Sequence, residues 1–298
     1  MRGLVHRVRG GVYTVVLESG ELLKASLRGR LKLEQRLGDQ VVIGDRVRVA
    51  GGDGTYTIEE IFPRETAITR SRFGGRSVKV LVANADRMLL VVATARPQTR
   101  QGLIDRLLVV AEAGGVVPII VVNKMDLQGA LAVAEELEGV YEPLGYEVVR
   151  VSALTGEGLG QFGEKVCQGI AVLAGSSGVG KSSLVNAFEP EHRLRTGELS
   201  RKRGTGRHTT VSASLIQLGC GGLVADTPGF SDVGLWGVRR SELDTCFPEF
   251  RPLLAGCRFR SCSHLHEPDC AVRNALDDGA INSDRYESYR VMLEESDP

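Results

Sequence analysis

Residues Gly175–Ser183 read GSSGVGKSS, and this stretch restricts the possible folds more than any other. It fits G-x-x-x-x-G-K-[ST] with Gly175, Gly180, Lys181 and Ser182. An apolar run, Ile170–Ala174, precedes it, and a helix-compatible run, Ser182–Phe188, follows. A strand, a glycine loop and a helix in that order make a phosphate cradle. Glycines let backbone N–H groups turn inward around an anion without Cβ clashes, and the helix N-terminus adds partial positive charge. Lys181 can reach the β- and γ-phosphates of a nucleotide, and the Ser182 hydroxyl can ligate Mg²⁺. Ser176, Ser177, Gly178, Val179 and Ser183 complete the expected lining. A glycine-rich turn that matches by chance is the alternative, and the flanking strand and helix weigh against it.

At 298 residues the chain is long enough for two or three domains, and 42% hydrophobic residues supply real cores. Lys+Arg and Asp+Glu are both 37, so no global basic field points to nucleic acid and any such role must rest on local patches. The longest apolar runs, Met88–Ala95 and Val116–Val122, fall far short of the roughly 20 residues of a membrane span. Arg2, His6, Arg7 and Arg9 interrupt any apolar signal core at the N-terminus. The expectation is a soluble, cytoplasmic, monomeric protein without membrane contact. Three of the six cysteines crowd into Cys257–Cys270, which in such a chain favours metal over disulfides. Cys167, Cys220 and Cys246 are expected to be ordinary core residues.

In chain order, residues 1–66 read as short strands at Gly11–Leu17, Glu21–Leu27, Gln40–Val49 and Thr55–Ile61, separated by Gly- or Asp-containing turns. This predicts an OB-like barrel. Arg28, Arg30, Lys32 and Arg36 cluster on one predicted loop, either an RNA contact or a solvated face. Pro63–Arg76 reads as a connector. From residue 76 to 232 strands alternate with helices: Met88–Ala95, Arg100–Ala113, Val116–Val122, Ala130–Leu144, Glu147–Val151, Gly158–Gln168 and Ile170–Ala174. That alternation implies a parallel sheet covered on both faces. A basic, Gly-containing stretch at 189–208 is expected to be a loop, and Ser212–Leu218 and Gly222–Ala225 are again strands. Residues 233–298 read as helical and loop-rich, with Cys and His.

Three further motifs follow predicted strand ends. Asn123-Lys124-Met125-Asp126 is N-K-x-D. The Asp126 carboxylate can accept from the N1–H and N2–H₂ of guanine; adenine offers neither donor and would leave the carboxylate unpaired. The Lys124 stem can cover the base, and Asn123 can brace the loop. Ser152-Ala153 suits a backbone N–H to guanine O6. Asp226-Thr227-Pro228-Gly229 is D-x-x-G, in which Asp226 would hold Mg²⁺ through water and the Gly229 N–H would sense the γ-phosphate.

The order of these motifs is unusual. A Ras-like chain runs phosphate loop, switch threonine, D-x-x-G, N-K-x-D, then S-A. Here N-K-x-D and S-A come first, at 123 and 152, and the phosphate loop, switch and D-x-x-G follow. That is a circular permutation, which a sheet tolerates when its termini lie close together. D-x-x-G then runs straight into residues 230–298, so a γ-phosphate-dependent movement at Gly229 is expected to be felt there. The position after D-x-x-G is Phe230, which cannot orient a catalytic water as a Gln would. His208, in Gly206-Arg207-His208-Thr209-Thr210, is the candidate substitute, with Thr209 or Thr210 as the magnesium ligand.

Cys257-x₄-Cys262-x-His264-x₅-Cys270 offers three thiolates and one imidazole, a set suited to tetrahedral Zn²⁺, with His266 a competing ligand. All four positions are filled by protein, so the expected role is structural.

Together these features resemble the RsgA (YjeQ) family of circularly permuted GTPases that are stimulated by the small ribosomal subunit. The resemblance spans nearly the whole chain and rests on Asn123–Asp126, Gly175–Ser183, Gly206–Thr210, Asp226–Phe230 and the Cys257–Cys270 cluster. It implies three parts: an OB-like barrel at 1–66, a permuted α/β P-loop GTPase domain at 76–232 and a mainly helical zinc-binding domain at 233–298. It also implies GTP hydrolysis coupled to late maturation of the small subunit, rRNA contact through the flanking domains, and a catalytic role for His208. A permuted GTPase with another RNA or protein partner, or an RNA-binding scaffold that uses nucleotide only as a switch, are the competing expectations.

Overall fold

A computed structural model describes residues 1–29, 31, 40–71, 78–95, 97–190, 213–226 and 238–296. The first five strands are β1 (Arg2–Arg9), β2 (Val12–Leu17), β3 (Leu22–Leu27), β4 (Arg46–Gly52) and β5 (Thr55–Ile61). Their order, β1-β2-β3-β5-β4, closes through a β1–β4 pairing, so the expected barrel is present with five strands. Alternation drives it inward. Val15 and Leu17, Leu23, Ala25 and Leu27, Val47 and Val49, and Ile58 fill one core. β1 lies outside the strands expected from the sequence, because its charged residues and the bulge between Val5 and Arg7 leave no simple apolar alternation.

The stretch expected to be a connector instead carries β6 (Ala67–Ser71), which pairs antiparallel with β7 (Val78–Ala83). Beyond it lie β8 (Arg87–Ala93), β9 (Val117–Asn123), β10 (Glu147–Arg150), β11 (Ile170–Ala174), β12 (Ala213–Gln217) and β13 (Leu223–Asp226). The order is β10-β9-β8-β11-β13-β12. Neighbours are parallel except β12 and β13, which form an antiparallel hairpin, so the sheet is mixed rather than purely parallel.

Helices α1 (Gln101–Ala113) and α2 (Ala130–Tyr141) cover one face; α3 (Leu159–Val166) and α4 (Lys181–Phe188) cover the other. The strands show why both faces need cover. Leu90 and Val92 of β8 join Ile104, Leu107 and Tyr141 in one core, whereas Leu89 and Val91 join Phe162, Leu184 and Val185 in the other. The apolar run has no polar face to leave in water.

The barrel and this sheet are one hydrogen-bonded surface. Arg7 and Val8 of β1 pair antiparallel with Ser214 and Ala213 of β12, giving an eleven-stranded sheet. A bulge at His6 lies between the Val5–Val15 and Arg7–Thr14 pairs. It falls where β1 leaves β4, last paired at Leu4–Arg46, and meets β12. A bulge bends its strand, and here the bend lets β1 serve both neighbours. The C-terminal part adds short 3₁₀ turns and two helices, α5 (Ala271–Asp277) and α6 (Ser283–Glu295). Asn282 caps α6 by accepting the Asp284 and Arg285 N–H groups at 2.9 and 3.1 Å.

Candidate functional site

The motif residues gather at the C-terminal ends of β9, β10, β11 and β13. Gly175–Ser183 links β11 to α4. Its geometry requires glycine. Gly175 has φ +134°, and a Cβ there would meet the Val91 carbonyl oxygen at 2.2 Å. Gly180 has φ +103°, and a Cβ would meet Asn123 Nδ2 at 2.2 Å. Gly178 has φ +85°. Such positive φ values bend the chain into a concavity of N–H groups, so the loop fits a phosphate. Val179 is buried in the core below, Ser176 is half-buried, and Ser177 is exposed.

Lys181 opens α4, and its side chain is 5% exposed. Its Nζ donates to the Gly175 carbonyl at 2.7 Å and to the Ser176 carbonyl at 2.9 Å. Burial pushes the ammonium down to about 8. Ser182 is half-buried in the same first turn, and Ser183 is exposed. Asp226 ends β13, whose Ala225 pairs with Val172 of β11, one strand away from the loop. Ser182 and Asp226 offer only oxygen donors, the set that suits Mg²⁺.

Asn123 ties the site together. Its Nδ2 donates to the Val179 carbonyl at 2.8 Å, and its Oδ1 accepts the Ala153 N–H at 3.2 Å. One buried amide thus joins the phosphate loop to the loop after β10. Lys124 follows at φ +69°. Its Nζ donates to the Ala95 carbonyl at 3.2 Å, and its ammonium is pushed down by burial against the pull of Asp126. Met125 donates its N–H to Val151. Asp126 is exposed and accepts from the buried Ser152 Oγ at 2.6 Å. The Ser152 N–H is held by the Glu157 carbonyl at 2.9 Å, so the longer Ala153 bond is the one a ligand oxygen can share.

Two residues of this site gave no signal in the sequence. Thr94, 5% exposed, donates from Oγ1 to the Lys124 carbonyl at 3.2 Å and braces its left-handed backbone. Leu154, 82% exposed, projects beside Ala153. A threonine or leucine in a loop carries no motif; only the fold puts them here. His208, Thr209, Thr210, Gly229 and Phe230 lie outside the described residues, as do Arg30, Lys32 and Arg36.

The second cluster is Cys257, Cys262, His264 and Cys270, whose ligand atoms all lie within 4.8 Å of one another. Cys257 Sγ is 3.6 Å from His264 Nδ1 and 4.0 Å from Cys270 Sγ, and His264 Nδ1 is 3.4 Å from Cys270 Sγ. Tetrahedral zinc with thiolates at about 2.3 Å has ligand-to-ligand edges of roughly 3.8 Å, so the donor set fits that ion. His264 is held at φ +58° and its Nε2 faces Asp244 Oδ2 at 3.6 Å. Glu267 accepts the Ser263 hydroxyl at 2.6 Å and the Ser263 and Leu265 N–H groups, fixing the turn that carries the imidazole.

One cysteine expectation fails. Cys167 and Cys220 are not independent core residues: their sulfurs are joined in a disulfide, and Cys220 is exposed. Pairing across 53 residues depends on a hairpin turn that composition does not reveal. Cys246 is buried, as expected.

Solved and curated relatives match this arrangement. The chain is 45% identical over 297 residues to the small ribosomal subunit biogenesis GTPase RsgA of Gemmatimonas aurantiaca, covering 98% of this chain and 96% of the relative. It is 38% identical to the protein of the same name from Caldanaerobacter subterraneus subsp. tengcongensis, covering 99% and 95%. The crystal structure of YjeQ from Thermotoga maritima superposes with a TM-score of 0.81 at 35% identity, covering 99% and 97%. YloQ, described as a circularly permuted GTPase, gives 0.75 at 30%, covering 99% and 94%. A family model described as RsgA GTPase matches residues 61–236. With phosphate loop, base-side loops and motif order all on one permuted sheet, the chain belongs to the RsgA GTPase family.

Proposed function

We propose that this chain binds GTP across the ends of β9, β10, β11 and β13, hydrolyses it on the small ribosomal subunit, and is released as its nucleotide-sensing stretches relax. It is a GTP hydrolase of small ribosomal subunit biogenesis. The observation that carries the site reading is the Asn123 amide, which bonds the phosphate loop on one side and the Ser152-Ala153 loop on the other. A base and its phosphates held by these two loops would be locked at one spacing.

In this reading Asp126, oriented by Ser152, accepts from guanine N1–H and N2–H₂, and Lys124 covers the base. Gly175, Ser176, Ser177, Gly178, Val179, Gly180 and Ser183 shape the cradle. The Lys181 ammonium exchanges its two loop carbonyls for phosphate oxygens and offsets charge that grows in the transition state. Ser182, Asp226 and Thr209 or Thr210 would hold Mg²⁺, which when bound would supply positive charge against the phosphate oxygens. His208 would orient the attacking water, with the Gly229 N–H against the γ-phosphate. Zinc, when bound by Cys257, Cys262, His264 and Cys270, would serve as a structural staple.

The domain limits 1–66, 76–232 and 233–298 belong to the same proposal, as do a monomeric state and a cytoplasmic location. RNA contact through the flanking parts is supported by the zinc-knuckle loop. There Phe259, 44% exposed, stands between Arg258 and Arg260, with the Arg258 guanidinium 5.6 Å from its ring centre. Exposed aromatics beside cations are stacking platforms for unpaired bases. Arg28 of the basic barrel cluster is paired with Glu59.

The decisive experiment is phosphate release with and without small subunits, on wild type and His208→Ala. Strong stimulation is expected for the wild type. His208→Ala should lose about 10²-fold or more of the stimulated rate while keeping nucleotide affinity. Stimulation by another RNA instead, or no turnover at all, would reject the reading. Asp126→Asn should shift preference from GTP toward xanthosine triphosphate.

A further inference from the structure

The Cys167–Cys220 bond lies at the end of the sheet opposite the candidate nucleotide site. Cys167 caps α3, its N–H donating to the Gly163 carbonyl at 2.9 Å. Cys220 lies in the β12–β13 turn, which is closed by Leu218 N–H to the Gly222 carbonyl and Gly221 N–H to the Leu218 carbonyl, both 2.9 Å. The turn rests directly on backbone. A Cβ on Gly222 would meet the Val166 carbonyl oxygen at 2.1 Å and Cys167 Cα at 2.7 Å. Leu223 N–H donates to the Gly169 carbonyl at 2.9 Å, and Gly219 N–H donates to Glu189 Oε2 at 2.9 Å. Glu189 is the C-cap of α4. This turn therefore gathers the end of α3, the lead-in to β11 and the end of the phosphate-loop helix.

The bond is also reachable. Cys220 is exposed and Cys167 is half-buried. Of the other four cysteines, three form the candidate zinc cluster, and burial pushes the Cys246 thiol up to about 12. The ring closed by the bond contains Gly175–Ser183, α4, Gly206–Thr210 and β12 in its sequence. Disulfides inside cells are usually transient or redox-sensing rather than structural.

We propose that Cys167–Cys220 is a thiol–disulfide exchange site for a low-molecular-weight thiol or a dithiol reductase, and that its state sets how firmly the β12–β13 turn is held to the phosphate-loop half of the domain. The reductant's thiolate attacks the exposed Cys220 Sγ. The Sγ–Sγ bond breaks, and Cys167 leaves as a thiolate and takes a proton from water. A second reductant thiol then attacks the mixed disulfide, frees Cys220 as a thiol and leaves the reductant oxidised as its own disulfide, two electrons in all. A low-molecular-weight disulfide reverses the sequence. β13 runs only four residues from the turn up to and including Asp226, about 13 Å of strand. A looser turn should thus reach that carboxylate; this last consequence rests on the magnesium reading of Asp226.

The test uses the full-length, zinc-loaded protein equilibrated in glutathione buffers from fully oxidised to fully reduced, quenched, alkylated and mapped by peptide mass. Cys167 and Cys220 should pass together from linked to doubly alkylated within that series, while the native fold persists. A bond that stays closed in the most reducing buffer, or two free thiols in the most oxidising one, overturns the proposal. Amides of 218–223 should exchange hydrogen at least tenfold faster after reduction. Equal rates overturn the mechanical half. A Cys167→Ser/Cys220→Ser double variant should exchange at the fast rate in every buffer; a variant still responding to redox would also refute it. Magnesium-dependent GDP affinity, followed in parallel, should weaken about threefold on reduction. A chain that binds no guanine nucleotide in either state would reject the functional reading, and the thiol counts and exchange rates decide the redox site independently of it.

Discussion

The barrel and the C-terminal part that carries the Cys/His knuckle attach to the same α/β sheet by opposite means. The barrel joins chiefly through backbone groups, with Ile43 also packed into the central core. β1 pairs with β12, Ile43 bridges to Val82, Ala83 N–H donates to the Ile43 carbonyl at 3.0 Å, and Asn84 Nδ2 donates to the Gly44 carbonyl at 2.8 Å. The knuckle part joins through side chains. Arg285, fully buried, donates to Asp105 of α1 at 2.7 Å and to Glu249 at 2.8 Å, and Tyr141 Oη donates to the same Asp105 oxygen at 2.7 Å. Val109 of α1 is buried among Leu243, Phe247, Tyr289 and Met292, so the C-terminal core borrows a residue from the central domain. Arg106–Glu295 and Arg251–Glu112 close the rim. A backbone seam depends on register and small residues and tolerates many side chains. A charge-centred seam depends on a few atoms and is lost when one is removed.

The largest test of that contrast is the metal. Chelation, or Cys270→Ala, should cost the knuckle part on the order of 10 kcal/mol of metal-linked folding free energy. The near-ultraviolet signal of Phe250 and Tyr289, whose rings lie against His264, and of Phe247 and Tyr286, which pack on those two, should collapse. Amide protection in β2–β5 should survive, because the barrel core contains none of these residues. Simultaneous loss of both would erase the distinction. Next comes Arg285→Ala, which leaves Asp105 and Glu249 buried without their cation and should cost about 3–5 kcal/mol in a denaturant titration. A cost below about 1 kcal/mol would show that the seam is carried by apolar contact instead.

Gly44→Ala probes the other seam. Gly44 has φ +83°, and a Cβ would stand 1.9 Å from the Ala83 carbonyl oxygen. The backbone contact must open, at about 1–3 kcal/mol, with faster exchange at Ile43 and Ala83. A silent Gly44→Ala would mean that the barrel is held elsewhere. The smallest effect concerns neither seam. Lys181 has a pKa of about 8 in the folded chain, below the ordinary 10.5. Below pH 8 it is charged in both folded and unfolded chains, and the burial penalty is fully present. Between 8 and 10.5 the unfolded chain binds more protons, so stability rises with pH. In the proposed site nucleotide binding would run the other way, because the phosphates would draw on the Lys181 ammonium. GDP affinity should fall about tenfold from pH 7 to 9 with proton uptake in calorimetry, equally in wild type and Gly44→Ala. A flat profile would place the Lys181 charge outside phosphate binding.

The sequence exposes those parts of the site whose chemistry is local. Gly175, Gly180 and Lys181 must be adjacent to make a cradle, and the buried runs Leu89–Val92 and Ile119–Val122 announce the strands that carry the loops. The four candidate ligands of the knuckle fall within one short segment for the same reason. What stayed hidden depends on distant partners. β1 looks polar until β12 supplies its neighbour. β12 is antiparallel because a tight turn, not a helix, connects it to β13. Arg285 reads as an ordinary surface charge on α6 until Asp105, 180 residues away, is found beside it. Thr94 and the Cys167–Cys220 pair belong to the same class.

The pairing of β1 with β12 has a consequence for how the protein behaves in a crowd. A strand at the end of a sheet offers unpaired N–H and C=O groups to any other chain. β12 would be such a strand, but β1 pairs with its first two residues, Ala213 and Ser214, and the barrel closes on itself through β1 and β4. Among the described residues the strand order of the eleven-stranded sheet ends openly at β10. That strand is four residues long, with Glu147 paired to Lys165 and Arg150 paired to Glu138. A short, charged rim is a poor template for a foreign strand, and at the other side of the central sheet the fusion of two folds covers the start of β12.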